Sequence, residues 1–90
     1  MHCSKAIAKH LVELQKQAKE QGRGEDLLSA IREILRRLSN DPFEFGEPLY
    51  RLPALRLQVR HGAVGPLLIY FAIHERRPLV FLKGASLLPA

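Results

Sequence analysis

The spacing of apolar residues in this chain changes near residue 55. Before that point apolar side chains recur every three or four residues, the period of a helix that buries one face. After it they alternate with polar side chains, the period of a half-buried strand. Helices followed by strands in one short chain are typical of an α+β fold, in which the helices cover one sheet face.

The helical part divides into two segments. The first, residues 4–21, begins at the N-cap candidate Ser4 and ends before Gly22 and Gly24. The second, residues 25–39, ends at the sequence Ser39-Asn40-Asp41-Pro42. Their apolar stripes consist of Ile7, Leu11, Leu14 and Ala18 in the first segment and Leu27, Ile31, Ile34, Leu35 and Leu38 in the second. The short connection predicts an antiparallel helical hairpin.

Three strands are predicted, at residues 55–60, 66–74 and 78–83. Residues 42–54 contain several prolines and a glycine, so this stretch is predicted to be irregular. The whole chain, residues 1–90, is then one domain, with the hairpin packed on one face of a three-stranded antiparallel sheet. The other face is expected to be free.

The net charge of +5 comes from the last forty residues. Residues 1–50 are balanced, whereas the remainder carries Arg51, Arg56, Arg60, Arg76, Arg77 and Lys83 against Glu75 alone. Such asymmetry indicates a polyanionic partner, either nucleic acid or an acidic protein segment; the alternative is a merely soluble basic surface.

Candidate binding residues follow from the alternation in the first strand. Leu55, Leu57 and Val59 are expected to face the helices, and the intervening residues the free face. This places the guanidinium groups of Arg56 and Arg60 side by side, where they can hold phosphate oxygens. His61, next to them, is a further anion-binding and general-base candidate.

Several classes of protein are not indicated. Cys3 is alone, so neither an intramolecular disulfide nor a cysteine-based zinc site is expected. The N-terminus lacks the apolar run of a signal peptide, and the longest apolar stretch, residues 67–73, is too short to span a membrane. We expect a cytoplasmic protein without membrane association, metal or cofactor.

Three sequence segments, considered in order, resemble a known family. They are DPFEFGEPLYRL at residues 41–52, LRLQVRHG at residues 55–62 and LLIYFAI at residues 67–73. With the helical hairpin, they are similar to the RelE/ParE superfamily of bacterial toxins from type II toxin–antitoxin pairs. The resemblance covers roughly residues 25–84, where a DP, a glycine followed by PL, and an LR occur in the family's order.

The resemblance implies a toxin neutralised by a cognate antitoxin that wraps its helices and sheet. RelE-like members cut mRNA on the ribosome without a metal, using the 2′-hydroxyl of the RNA as nucleophile. Arg56 matches the arginine of the LR motif, and Arg60 and Lys83 fall at other basic positions, so these three are the implied catalytic residues. Arg51, Arg56 and Arg60 are the implied RNA-binding residues, and His61 is a further RNA-binding candidate from its position next to Arg60.

Departures from the family pattern leave other functions open. Leucine replaces the arginine expected in the segment Leu67-Leu68-Ile69-Tyr70, and the tail after residue 84 has no tyrosine or histidine. Only residues 1–5 stand where the family has a strand before its first helix. The alternatives are a non-catalytic RNA- or protein-binding module of the same fold, or a ParE-like inhibitor of DNA gyrase.

Overall fold

A computed structural model of the chain describes residues 2–89 and has two helices followed by a four-stranded sheet. The helices are α1 (Lys5–Glu20) and α2 (Gly24–Asn40), and the strands are β1 (Glu47–Leu52), β2 (Leu57–Val64), β3 (Leu67–His74) and β4 (Val80–Leu87). Two single-turn 3₁₀ helices, at Pro42–Glu44 and Pro53–Leu55, flank β1. The α+β class and the two helices are confirmed.

The helix ends follow the capping residues of the sequence. The Ser4 hydroxyl accepts a hydrogen bond from the Ile7 backbone N–H at 3.1 Å and so starts α1. Gly22 adopts a φ of +73° in the turn after α1, a conformation that costs glycine little. α2 then runs back along α1 and ends before Pro42.

The sheet has four strands in the order β1-β2-β3-β4, and every neighbouring pair is antiparallel. The prediction of three strands was therefore wrong, because β1 lies in the stretch expected to be irregular. Proline in β1 is compatible with a strand since β1 is at the sheet edge, where Pro48 needs no second partner. β4 also continues past Gly84 to Leu87, beyond the predicted end at residue 83.

The main core lies between the helices and one sheet face. Phe71 is the largest completely buried side chain, and it packs in a cluster with apolar residues from both helices and from β3 and β4. Members of this cluster include Leu14, Ala18, Leu27, Ile34, Leu38, Leu67, Ile69, Phe71, Ile73 and Leu82. The helix-covered face is thus the face on which the odd-numbered residues of β3 lie.

The cross-strand register reverses the expected orientation of β2. Arg60 lies opposite Phe71, and Gln58 lies opposite Ile73, so both project to the helix-covered face. Val59 lies opposite Ala72 and projects to the other side. The expectation that Arg60 and Gln58 occupy the free face was wrong.

The residues before α1 contact the opposite edge of the sheet. His2 forms an isolated parallel bridge with Phe81 of β4. Its N–H donates to the Val80 carbonyl at 2.7 Å, and its carbonyl accepts from the Leu82 N–H at 2.9 Å. Within residues 2–89, the part of the chain before α1 makes no strand pairing other than this bridge. None of the helices in that range has the length and apolar character needed to cross a membrane.

Candidate nucleic-acid interface

The sheet face turned away from the helices is the candidate site, and we call it the open face. The register places on it Tyr50, Leu57, Val59, His61, Tyr70, Ala72, His74 and Phe81. Tyr50, Val59, Ala72 and Phe81 form one row across the four strands. His61 and Tyr70 belong to the next row, with Gly84 beside them.

The middle of the open face is a small apolar patch beneath larger side chains. Val59 is 3% exposed and Ala72 is 0% exposed, although neither belongs to the core under the helices. In the same row Tyr50 lies on one flank and Phe81 on the other. Aromatic rings therefore flank this patch on both sides.

The rings of the open face are held in two pairs. His61 stacks on Tyr70 with 6.1 Å between centroids and 17° between planes. His2 stacks on Phe81 with 5.2 Å and 24°. Tyr50 is an exposed ring of the same face, at 54% exposure. Flat, accessible rings on a sheet are surfaces on which unpaired nucleobases stack.

A carboxylate lies near one imidazole of this face. Glu47 of β1 is paired in register with His61, and its Oε2 lies 4.0 Å from His61 Nε2. Tyr70 lies on the other side of His61 in the same row. The row therefore contains a carboxylate, an imidazole and a phenol, which are groups that transfer protons. No set of three or more His, Cys, Asp or Glu side chains within residues 2–89 is arranged to hold a metal ion.

Arg56 was expected within the first predicted strand, residues 55–60, but it lies just before β2. It follows the 3₁₀ turn Pro53–Leu55 in the left-handed conformation, with a φ of 54°, and is exposed at the start of β2. Its carbonyl accepts the Glu75 N–H at 2.9 Å, which joins it to the end of β3. Among residues 2–89, no carboxylate lies within salt-bridge distance of its guanidinium group.

Arg60 is buried, and this separates it from Arg56. Only 8% of it is exposed, and its guanidinium donates to the Phe45 carbonyl at 3.2 Å, the Gly46 carbonyl at 2.9 Å and the Gln58 side chain at 2.8 Å. All of these acceptors are neutral. The expected pair of exposed guanidinium groups is thus absent, and Arg60 holds the chain that enters β1.

The remaining predicted residues are exposed or half-buried. Arg51 makes two hydrogen bonds to Glu75, at 2.7 and 2.8 Å. These bonds lower the pKa of Glu75 below its usual value. Lys83 is exposed at the irregularity in β3–β4 pairing, and half-buried His61 lies on the open face. Arg56, His61 and Lys83 therefore remain available to a ligand, whereas Arg51 is engaged by an ion pair.

The turn between the second and third predicted strands was expected, but no function was assigned to it; in the structure it is the β3–β4 turn, residues 75–79. Arg76 and Arg77 are exposed there, directly after His74 of the open face. A run of two arginines before a proline was visible in the sequence, but nothing in the local pattern showed that the turn adjoins Arg56.

These features define an α+β domain with one sheet face covered by a helical hairpin and the other lined by rings and bordered by cations. Comparison of the chain with protein-family models, with curated proteins and with solved structures gives no match.

Proposed function

We propose that this chain is a RelE/ParE-like toxin that acts in the cytoplasm by binding single-stranded RNA across its open face. The observation that carries the proposal is the set of rings on the open face, because they offer stacking surfaces on the face that no helix covers, with exposed Arg56 at the start of β2 and exposed Lys83 on the edge strand β4. The order of the family-like motifs and the helical hairpin supply the toxin part of the proposal.

Single-stranded RNA suits this surface better than a duplex. Unpaired bases expose flat faces, and each base that stacks on an aromatic ring contributes about 1–3 kcal/mol. The net charge of +5 attracts the phosphate backbone without reading its sequence. A sheet face that exposes rings gives little access to base edges inside a duplex.

The test is RNA binding by a Tyr50→Ala variant. Tyr50 is exposed on an edge strand, so the fold should survive its loss, and affinity for a fluorescein-labelled oligo(U) should fall by about tenfold. Tyr50→Phe keeps the ring and should bind like the unmodified protein. Phe43→Ala is a matched control, since Phe43 is 45% exposed but lies outside the open face. Equal losses in Tyr50→Ala and Phe43→Ala would contradict the proposal.

A cognate antitoxin is the proposed protein partner, and the helices offer a surface for it. Val12, Leu28 and Leu35 are exposed, and Leu35 borders an apolar crevice between the helices and the sheet. Lys9, Lys16 and Arg32 lie within one turn of these residues along α1 and α2. An amphipathic segment with acidic flanks complements this surface and leaves the open face free.

Growth of bacteria expressing the chain tests the toxin part of the proposal. Expression should arrest growth, and co-expression of a cognate antitoxin should restore it. The Leu28→Glu variant should stay toxic but escape the antitoxin, because it places a negative charge on the surface that an acidic partner contacts. Harmless expression of a folded, RNA-binding chain would instead favour a stand-alone RNA-binding module.

Cleavage of mRNA on the ribosome is a second candidate function, favoured by the Glu47–His61 pair. In this reaction the 2′-oxygen bonds to phosphorus, the bond to the 5′-oxygen breaks, a base accepts the 2′-hydroxyl proton and the 5′-oxygen receives one. His61 is the candidate base, and Arg56 and Lys83 are candidates to stabilise the phosphate charge.

Mapping of mRNA ends on translating ribosomes separates these possibilities. Cuts that disappear in His61→Ala would support the nuclease. RNA binding without cuts would support the non-catalytic module, whereas inhibition of DNA supercoiling without RNA binding would favour the gyrase alternative.

A further inference from the structure

The end of α2 and the β3–β4 turn enclose a cavity of about 480 Å³ on the helix-covered side of the sheet, here called the α2–turn cavity. Its floor is apolar and belongs to the core, since Leu38, Ile73 and Val80 are 3%, 1% and 6% exposed. Asn40 and Arg77 line it from its two walls, and both are exposed. A cavity of this size is within the range of about 300–1,000 Å³ found for small-molecule sites.

Hydrogen bonds and prolines hold both walls of the cavity in place. In the 3₁₀ turn after α2, the Phe45 N–H donates to the Pro42 carbonyl at 3.3 Å. In the β3–β4 turn, Nδ1 of His74 accepts the Arg77 N–H at 3.1 Å. Pro42 and Pro78, whose φ angles are fixed by their rings, stand in opposite walls. The cavity is therefore formed before a ligand binds, so that binding orders little of the chain.

Arg77 is the charged residue among those that line the cavity. Within residues 2–89 no carboxylate lies at salt-bridge distance from its guanidinium group. The acidic residues nearest to the walls in sequence do not line the cavity: Glu75 accepts two hydrogen bonds from Arg51, and Asp41 and Glu44 line a separate crevice. A lining with one cation and no carboxylate favours a ligand with a single negative charge.

We infer that the α2–turn cavity binds a small-molecule monocarboxylate with an apolar body. The apolar body lies on the floor of Leu38, Ile73 and Val80. The carboxylate lies at the mouth, where a guanidinium group such as that of Arg77 can hold both oxygens and the Asn40 amide is a further donor. This site is distinct from the open face, and the inference does not depend on the proposed RNA binding.

The composition of the lining argues against two other classes of ligand. A polyphosphate carries several charges, and one arginine beside an apolar floor gives it few partners. A wholly apolar molecule would make no use of the guanidinium group. Phe43, which is 45% exposed and lines the same cavity, adds a ring that can cover an apolar body. An anionic group joined to an apolar body satisfies both parts of the lining.

Titration of sodium octanoate into isotope-labelled protein tests the inference by NMR. The amide signals of Asn40, Arg77 and Leu79 should shift with one saturable Kd, whereas that of Tyr70 on the open face should not. Arg77→Gln should raise this Kd about tenfold, because it removes a charge-assisted pair of hydrogen bonds. Arg76→Gln is the matched control, since Arg76 is the neighbouring exposed arginine and does not line the cavity. A Kd that Arg77→Gln leaves unchanged, or that both variants raise equally, would overturn the inference.

Two further measurements separate the apolar and charged parts of the site. The alcohol n-octanol shares the apolar body, so Arg77→Gln and the unmodified protein should bind it with the same affinity. Ser39→Phe, at an exposed position of the lining, should fill the cavity and abolish octanoate binding, while Ser29→Phe, at an exposed position of the same helix, should retain it. Octanoate binding that survives Ser39→Phe would refute the site.

A peptide probe distinguishes a small-molecule site from a surface for a protein segment. Binding of the blocked dipeptide N-acetyl-leucyl-glutamyl amide at these residues, without binding of octanoate, would reject the inference. Failure of this site and failure of the proposed function are also distinguishable. Octanoate binding by a protein that does not bind oligo(U) would keep the site and reject the proposed function, whereas oligo(U) binding without octanoate binding would do the reverse.

Discussion

At the scale of single residues, Arg60 has a structural role, although its charge led us to expect phosphate binding. Its guanidinium supplies donors to the carbonyls of Phe45 and Gly46, and the Phe45 ring stacks on Phe71 at 5.7 Å between centroids. A buried cation is tolerated where its donors are satisfied, and the forked guanidinium reaches acceptors on two consecutive residues.

Replacing Arg60 should therefore destabilise the fold. Arg60→Ala leaves two carbonyls without their donors, and we expect the free energy of unfolding in urea to fall by about 2–4 kcal/mol. Arg60→Lys should recover only part of this loss, because an ammonium group lacks the fork. Arg56→Ala, at an exposed position, should change stability by less than about 1 kcal/mol. A fully stable Arg60→Ala would show that the carbonyls have other donors.

The carboxyl group of Glu33 should make the stability of the fold depend on pH. Hydrogen bonds from Arg36 and then Arg37 lower its pKa from 4.5 to about 2. A carboxyl group with a depressed folded-state pKa stabilises the fold above its unfolded pKa, and this contribution disappears as pH falls through the folded pKa. The difference in unfolding free energy between the unmodified protein and Glu33→Gln should thus be largest above about pH 5 and vanish near pH 2. A difference that does not change between these pH values would exclude the ion pairs as its source.

At the scale of elements, two glycines allow β2 to pack closely against the chain that enters β1. A Cβ at Gly62 would lie 2.7 Å from the Phe45 ring, and one at Gly46 would overlap the His61 carbonyl. The motif residues near 45–46 and 60–62 therefore build the junction between α2 and the sheet. Arg60 was assigned to RNA chemistry from the sequence, but its contacts give it a structural role.

Two glycines in neighbouring parts of the sheet provide a matched comparison. Gly62→Ala should destabilise the protein by about 1–3 kcal/mol, because the Phe45 ring is packed on both sides and cannot move away. Gly84→Ala should be tolerated within about 1 kcal/mol, since its Cβ would meet Tyr70 at an ordinary 3.7 Å. Chemical denaturation measures both, and equal effects would contradict the packing argument.

The helices were predictable from the sequence, and the orientation of β2 was not. Caps and period locate α1 and α2 to within a residue or so because they are local signals. Alternation alone cannot say which side of a strand is covered, since a one-residue change of register exchanges the faces. Leu57 and Val59 belong to a second, smaller apolar layer on the open face. Arg60 is buried on the other side, where its guanidinium donates to a backbone carbonyl. Both outcomes depend on residues distant in sequence.

At the scale of the whole molecule, a single layer of helices covers a single sheet, so one complete sheet face meets solvent. Phe81 and Tyr50 flank the buried pair Val59 and Ala72, which gives the open face a hydrophobic centre. A ninety-residue domain of this kind has limited stability, and a ligand that binds the open face adds directly to it.

Thermal unfolding with and without RNA should therefore report occupancy of the open face. Single-stranded RNA at about a hundred times its Kd stabilises the folded state by about 2.7 kcal/mol, which for a domain of this size raises Tm by about 10–20 °C. Duplex RNA of the same sequence should raise Tm much less, because its bases are not free to stack. Tyr50→Ala should reduce the shift at a fixed RNA concentration, whereas Phe43→Ala should retain it. Equal shifts with single-stranded and duplex RNA would mean that phosphate contacts alone bind the ligand, and that the rings contribute to the fold rather than to recognition.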